Sequence, residues 1–234
     1  MSLMAFFFIF IFLVALAYLW REGVLEAPWL QEGEIPAYHG NGGRPPNAAK
    51  TGLVIFLGVA LCLFSLLCAA FFMRMGSYDW QSPPLPRILW FNTAALVASS
   101  GALHVASAAA KEASPQRTKS ALLAGAVASL LFLLGQLWAW REMIARGFYA
   151  SENPANAFFF LLTGAHALHL LGGLVALFRA MARASFKEPG KSLAATVELC
   201  AIYWHFLLAV WLLLFALLVG WADSLGVICR RFLT

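Results

Sequence analysis

Apolar residues gather into six long runs along the chain, at 4–20, 52–73, 88–110, 120–140, 157–178 and 199–221. A helix needs roughly 20 such residues to cross the hydrocarbon layer of a bilayer, and each run comes close to that length. Inside lipid an unpaired backbone amide finds no water. Each run is therefore predicted to be a helix whose hydrogen bonds close within itself. Polar segments with turn-forming residues separate the runs. Residues 21–50 carry Pro28, Pro36, Pro45 and Pro46 among charges and glycines, which predicts an extended loop. A second loop is expected at 74–87, with Pro83, Pro84 and Pro86, and shorter ones at 111–119, 141–156 and 179–198. The predicted fold class is all-α, a polytopic transmembrane bundle of about six helices. Residues 1–49 would form an N-terminal transmembrane helix with its polar loop, and residues 50–234 a five-helix membrane domain.

The first run, Met4 to Trp20, is short and rich in Phe. A secretory signal peptide is the rival reading, since Ala15-Leu16-Ala17 resembles a cleavage site. Met1 to Met4 holds no basic side chain, however, and a signal peptide carries one there. A retained helix is expected. No internal repeat is evident, which argues against an inverted-repeat transporter.

Composition agrees with a chain solvated by lipid. Hydrophobic residues make up 62% of it and charged residues 12%, where soluble domains carry about 25% charged. Mean hydropathy is +0.78. The net charge of +5 is read as the mark of cytoplasmic loops, and no nucleic-acid partner is expected. Loops 21–50, 111–119 and 179–198 hold ten basic residues: Arg21, Arg44, Lys50, Lys111, Arg117, Lys119, Arg179, Arg183, Lys187 and Lys191. The opposite side holds six: Arg74, Arg87, Arg141, Arg146, Arg230 and Arg231. The richer side is assigned to the cytoplasm, which places both termini outside. Trp20, Trp80, Trp90, Trp138, Trp140 and Trp221 fall near run ends and are read as headgroup-level anchors. Cys62, Cys68, Cys200 and Cys229 show no metal-binding or disulfide spacing, and the three within apolar runs are read as packing residues.

Polar side chains within the runs mark the faces turned to protein, because exposure to lipid is costly. Thr93, Ser100, His104 and Ser107 share one helical face, as do Thr163, His166, His169 and Gly173. Ser129 and Gln136 lie seven apart, as do Glu198 and His205, near Trp204 and Trp211. Small polar residues so placed allow close helix approach and interhelical hydrogen bonds. His166 and His169 have a spacing one metal could use, and His104 and His205 could come from neighbouring helices. A bound metal would want further carboxylates or thiolates, and only Glu198 is near. Histidines hydrogen-bonded between helices are the expected reading, without metal or haem in this chain. An ion-coupled transporter would show acids deep in the runs, and none is there.

Several of these residues form recognisable stretches. Thr163-Gly164-Ala165-His166-Ala167-Leu168-His169, followed by Gly172-Gly173, is one. Tyr203-Trp204-His205-Phe206 with Trp211 is another, with Glu198 before it; Gly135-Gln136 with Trp140 and Gly147 is a third. Residues 50–57 with Phe64, and Asn92 with Ser99-Ser100, fit more loosely. Together they resemble subunit III of haem–copper oxidases over about residues 50–222, in the family's order and spacing. Two positions depart from the family pattern. Ala60 stands where an early helix often has a glutamate, and Leu208 where the last helix often has an aspartate.

The resemblance implies an accessory, cofactor-free subunit of a proton-pumping terminal oxidase in a bacterial inner membrane. It would pack against catalytic subunit I and other oxidase subunits, stabilise them and support proton uptake. Haem and copper would reside in the catalytic partner. Bound phospholipid would fill a cleft between early and late helices. A divergent subunit serving a nitric oxide reductase is the alternative, and an unrelated transporter or channel the second. On this reading His104, Gln136, His166, His169, Glu198, Trp204, His205 and Trp211 are structural or lipid-contact residues. Glu198 would pair with His205 or meet a lipid headgroup.

Overall fold

The computed structural model describes residues 48–186 and 191–219. The first apolar run, at 4–20, and its loop lie outside the described residues. Five helices follow: α1 (Ala48–Met75), α2 (Ile88–Lys111), α3 (Pro115–Ala145), α4 (Pro154–Phe186) and α5 (Lys191–Leu218). Each is long and apolar enough to cross a membrane, so the chain is a multi-pass membrane protein with an all-helical described region.

The helices outrun the apolar runs that announced them. α4 has 33 residues, about 50 Å at 1.5 Å per residue, against a hydrocarbon layer of about 30 Å. The loop expected at 141–156 is confined to 146–153, and α5 already begins at Lys191 within the loop expected at 179–198. Hydropathy reports the thickness of the lipid interior. Helical hydrogen bonding carries on through the headgroup layer, where charged side chains are solvated.

Local chemistry fixes the helix ends. Gly147, at φ +87°, ends α3 in the left-handed conformation, and the Phe148 amide bonds back to the Met143 carbonyl at 3.0 Å. Asn153 starts α4: its Oδ1 accepts from the Ala155 amide at 2.9 Å, with Pro154 at the first helical position. Asn153 Nδ2 also donates to the Gln81 carbonyl at 2.5 Å, tying the α1–α2 loop to the α3–α4 turn.

α2 and α3 form the most extensive pair, α5 packs across α2, and α4 touches both α3 and α5. Small residues allow this. A Cβ built on Gly125 would stand 3.0 Å from the Leu103 side chain, and one built on Gly135 would collide with the Asn92 carboxamide. α1 is attached differently. Its backbone stays apart, and Phe64, Cys68 and Phe71 reach Leu162 of α4 and Val210, Leu214 and Leu217 of α5 in a separate apolar cluster. Only 22% of its apolar window is buried, against 39% to 50% in the others. α1 is the least buried of the five described helices.

Candidate functional site

The four helices α2–α5 enclose a polar seam built on one repeated device. An indole N–H from one helix donates to a hydroxyl on another, and that hydroxyl also lies within bonding distance of the carbonyl four residues back on its own helix. Trp211 donates to Thr93 Oγ1 at 3.0 Å, and Thr93 donates to the Leu89 carbonyl at 2.9 Å. Trp204 donates to Ser129 Oγ at 3.0 Å, with Ser129 2.8 Å from the Gly125 carbonyl. Trp140 donates to Thr163 Oγ1 at 3.0 Å, and Thr163 donates to the Phe159 carbonyl at 2.6 Å. A hydroxyl bonded within its own helix leaves a lone pair free, and the indole fills it. The three pairs link α5 to α2, α5 to α3, and α3 to α4.

Further bonds fill the seam. Ser99 Oγ lies 2.7 Å from Ser129 Oγ and 2.9 Å from the Gly125 carbonyl. Asn92 donates to Gln136 Oε1 at 3.2 Å, both side chains being fully buried. Asn92 Oδ1 and Gln136 Nε2 have no hydrogen-bond partner among the described residues. The Asn92 oxygen does occupy the place of a side chain on Gly135, so the Gly135 Cα–H points at it and makes a weak C–H···O contact.

The histidines divide into three situations. His205 meets Ser100 through Nδ1 at 2.6 Å, a bond between α5 and α2, and its ring lies 5.7 Å from that of His104. His169 turns Nδ1 to the carbonyl of Ala165 in its own helix, at 2.8 Å, while Tyr203 donates to the His169 carbonyl at 2.7 Å. The α4–α5 bond at this level is thus made by a backbone oxygen and not by the imidazole. His166 corrects the expectation of an interhelical hydrogen bond. It is fully buried, and neither ring nitrogen has a hydrogen-bond partner among the described residues. Trp211, Phe132 and Phe64 surround it, with ring centroids 5.1, 5.6 and 6.2 Å away. Aromatic faces give a ring N–H only weak contacts, so apolar packing holds this side chain.

Glu198 does not pair with His205. Its carboxylate lies 3.4 Å from Lys111 Nζ, and both side chains are about half exposed. Helix α2 runs antiparallel to α5, so Lys111 at the end of α2 meets Glu198 near the start of α5, and His104 meets His205 seven residues further in. Solvent-exposed pairs of this kind are worth at most about 1 kcal/mol. Glu198→Gln is therefore expected to shift the melting temperature of the detergent-solubilised chain by no more than about 3 °C. A larger drop would mean that Glu198 does something besides meeting Lys111.

Trp140 also departs from expectation, since it turns inward to Thr163. Trp90 and Trp138 remain on the outer surface, and Trp80 packs edge-on against Phe71. Trp20 and Trp221 lie outside the described residues. The roles of Asn153 and of the rings packed on His169 escaped the sequence reading. The role of Asn153 was signalled by an Asn standing before Pro154 at a helix start. The Phe56 and Phe64 contacts to His169 join different helices and leave no local signal.

No three His, Cys, Asp or Glu side chains converge among the described residues. Cys62, Cys68 and Cys200 are free thiols, two of them buried. A cavity of about 560 Å³ opens between α1, α4 and α5. Leu53, Phe56, Leu168, Gly173, Leu199 and Tyr203 are among its lining residues, and the wall is almost wholly apolar. A Cβ on Gly173 would come within 2.5 Å of Tyr203, so glycine there lets α5 seat closely against α4.

The family model for cytochrome c oxidase subunit III matches residues 1–223. The chain belongs to this family. It is similar to a probable cytochrome c oxidase subunit 3 of Mycobacterium tuberculosis, 27% identical over 74% of this chain and 88% of the relative. It is also similar to the cytochrome c oxidase subunit 3 of Thermostichus vulcanus, 28% identical over 74% of this chain and 87% of that protein. A third similar protein, from Synechocystis, is 28% identical over 79% of each chain. As a terminal oxidase subunit III, the chain is part of a respiratory oxidase complex and assembles with other oxidase subunits. Subunit III proteins are generally free of cofactors.

Proposed function

We propose that this subunit III is an accessory, non-catalytic component of a proton-pumping terminal oxidase. It stabilises catalytic subunit I, which carries the haem and copper, and supports proton uptake at the entrance of the complex. The observation that carries this reading is how the polar side chains of the spans are used. Thr93, Ser99, Ser129, Thr163 and the three indoles bond to one another between helices.

Ala60 is buried at the place where the family often has a glutamate, and a methyl group there passes no proton. Support of proton uptake is therefore assigned to the surface shared with the catalytic subunit and not to a path through these helices. The apolar cavity between α1, α4 and α5 suits the acyl chains of a phospholipid. The relatives carry the name cytochrome c oxidase, which favours cytochrome c over quinol as the reductant of the complex. The charge bias of the loops supports a bacterial inner-membrane orientation with both termini on the periplasmic side.

Purification of the tagged chain from its own membranes in mild detergent tests this. Oxidase subunits should co-purify in near-constant proportion, with a haem spectrum and oxygen consumption. Recovery with no haem-bearing partner, or with nitric oxide reductase subunits, would overturn it.

A further inference from the structure

We propose that the outer face shared by α2 and α5, centred on His104 and His205, receives a transmembrane helix of another oxidase subunit, which offers a hydrogen-bonding side chain to the two imidazoles. The inference deepens the reading above and rests on it.

Depth is the first argument. His205 stands midway along the membrane-spanning stretch Leu193–Leu218. Both histidines lie seven residues inward from the Lys111–Glu198 pair, about 10 Å at 1.5 Å per residue. That pair, which can reach the headgroups, marks the boundary; the histidines belong to the hydrocarbon layer.

Exposure is the second. Asn92, Ser99, Ser100 and Ser107 on α2 are all buried in the bundle. His104 and His205 are exposed on the surface of this chain. An imidazole turned to acyl chains forfeits hydrogen bonds that lipid cannot return, and polar side chains at this depth face protein or a water-filled cavity.

Ring geometry is the third. Ser100 engages Nδ1 of His205 from inside the bundle, so Nε2 is the nitrogen left for a group outside it. In either tautomer that nitrogen needs a partner, as a donor or as an acceptor.

The surroundings suit a helix. Gly101 and Ala108 are exposed on α2 three and four residues from His104, and so on its face, and a Cβ on Gly101 would meet nothing within 4 Å. Small residues let a second backbone come close, where short side chains can reach the imidazoles.

Other occupants fit less well. A lipid tail has no hydrogen-bonding group. Residues 4–20 of this chain have Tyr18 and Trp20 as their only hydrogen-bonding side chains, both at one end of the run.

A photo-crosslinking amino acid placed at Gly101 or Ala108 in the full chain, in its native membranes, tests the assignment. Leu134, exposed on α3, serves as the comparison position. Illumination should join positions 101 and 108 to a peptide of another oxidase subunit and leave Leu134 without that adduct. Adducts only with lipid, with residues 4–20 or with a second copy, in a preparation that still contains haem-bearing partners, would overturn the docking site and spare the accessory-subunit reading. Loss of the haem-bearing partners from the unmodified preparation would overturn both. In a second arm, the double substitution His104→Leu and His205→Leu should lower partner retention by about tenfold, two interhelical bonds at the strength seen in membranes. Glutamine at both positions, which keeps a hydrogen-bonding group, should restore most of it. Full retention by the leucine variant would also overturn the proposal.

Discussion

Replacing Gly135 with valine is expected to keep this subunit from accumulating in the membrane as a folded chain. A Cβ at that position enters the space held by the Asn92 carboxamide, on the most extensive helix pair of the bundle. Asn92 cannot yield easily: it is fully buried and bonded to Gln136, itself 1% exposed. Forcing extra carbon into a packed interior costs about 1–3 kcal/mol. Separating the two amides leaves buried polar groups unpaired for about 1–3 kcal/mol more. Together these approach the whole stability of a small domain, about 5–15 kcal/mol. Alanine at 135 already supplies the offending atom and should lower the thermal midpoint of the solubilised chain markedly. Gly172→Ala, where the new carbon meets nothing within 4 Å, should leave it unchanged. A Gly135→Val chain with normal abundance and normal melting would show that α2 and α3 do not pack as described.

Trp204 gives the second large effect, and the two parts of its contribution can be separated. Its ring is fully buried and sits beside Gly173 of α4, where a Cβ would stand 3.1 Å from it. Trp204→Ala opens a cavity costing about 3–5 kcal/mol in well-packed interiors. Trp204→Phe keeps most of the ring and loses one interhelical hydrogen bond, worth about 0.6 kcal/mol on average in a membrane protein. Ser129 keeps its contacts with Ser99 and the Gly125 carbonyl in that variant. Thermal unfolding in detergent should therefore show a small loss for phenylalanine and a several-fold larger one for alanine. Equal losses would mean that the indole N–H dominates and that packing in the seam matters less than the geometry indicates.

The order of the last five spans was legible because the bilayer imposes one length on every apolar run. Helix ends were not, since α3 continues through the charged residues Arg141 and Glu142, which a hydropathy count assigns to a loop. Much of the buried faces could also be read, because Ser100 and Ser107, or Ser129 and Gln136, recur at helical spacing and are buried, whereas His104, expected on the same face of α2, is exposed. The partners could not. Ser99 and Ser100 are adjacent in sequence, yet one faces Ser129 on α3 and the other His205 on α5. Only the packing of three helices decides that. His166 shows the same limit from another side. A histidine in a polar row suggested a hydrogen bond, and the neighbouring helices brought aromatic rings instead. Glu198 was placed near a span end correctly, but the antiparallel register that delivers Lys111 to it lies outside what spacing on one helix can tell.

On the proposed function, a subunit III assembled this way serves as a scaffold. Four helices are locked by indole–hydroxyl pairs, and a fifth leans on them through phenylalanines beside an apolar cavity. The described histidines either bond within the bundle, sit caged in aromatic rings, or stand exposed on its outer face. The visible absorption spectrum and metal content of the subunit after separation from its partners, set beside those of the intact complex, test this most directly. The account predicts a colourless, metal-free chain and a coloured complex. A haem absorption band, or stoichiometric copper, remaining with the separated chain would contradict it.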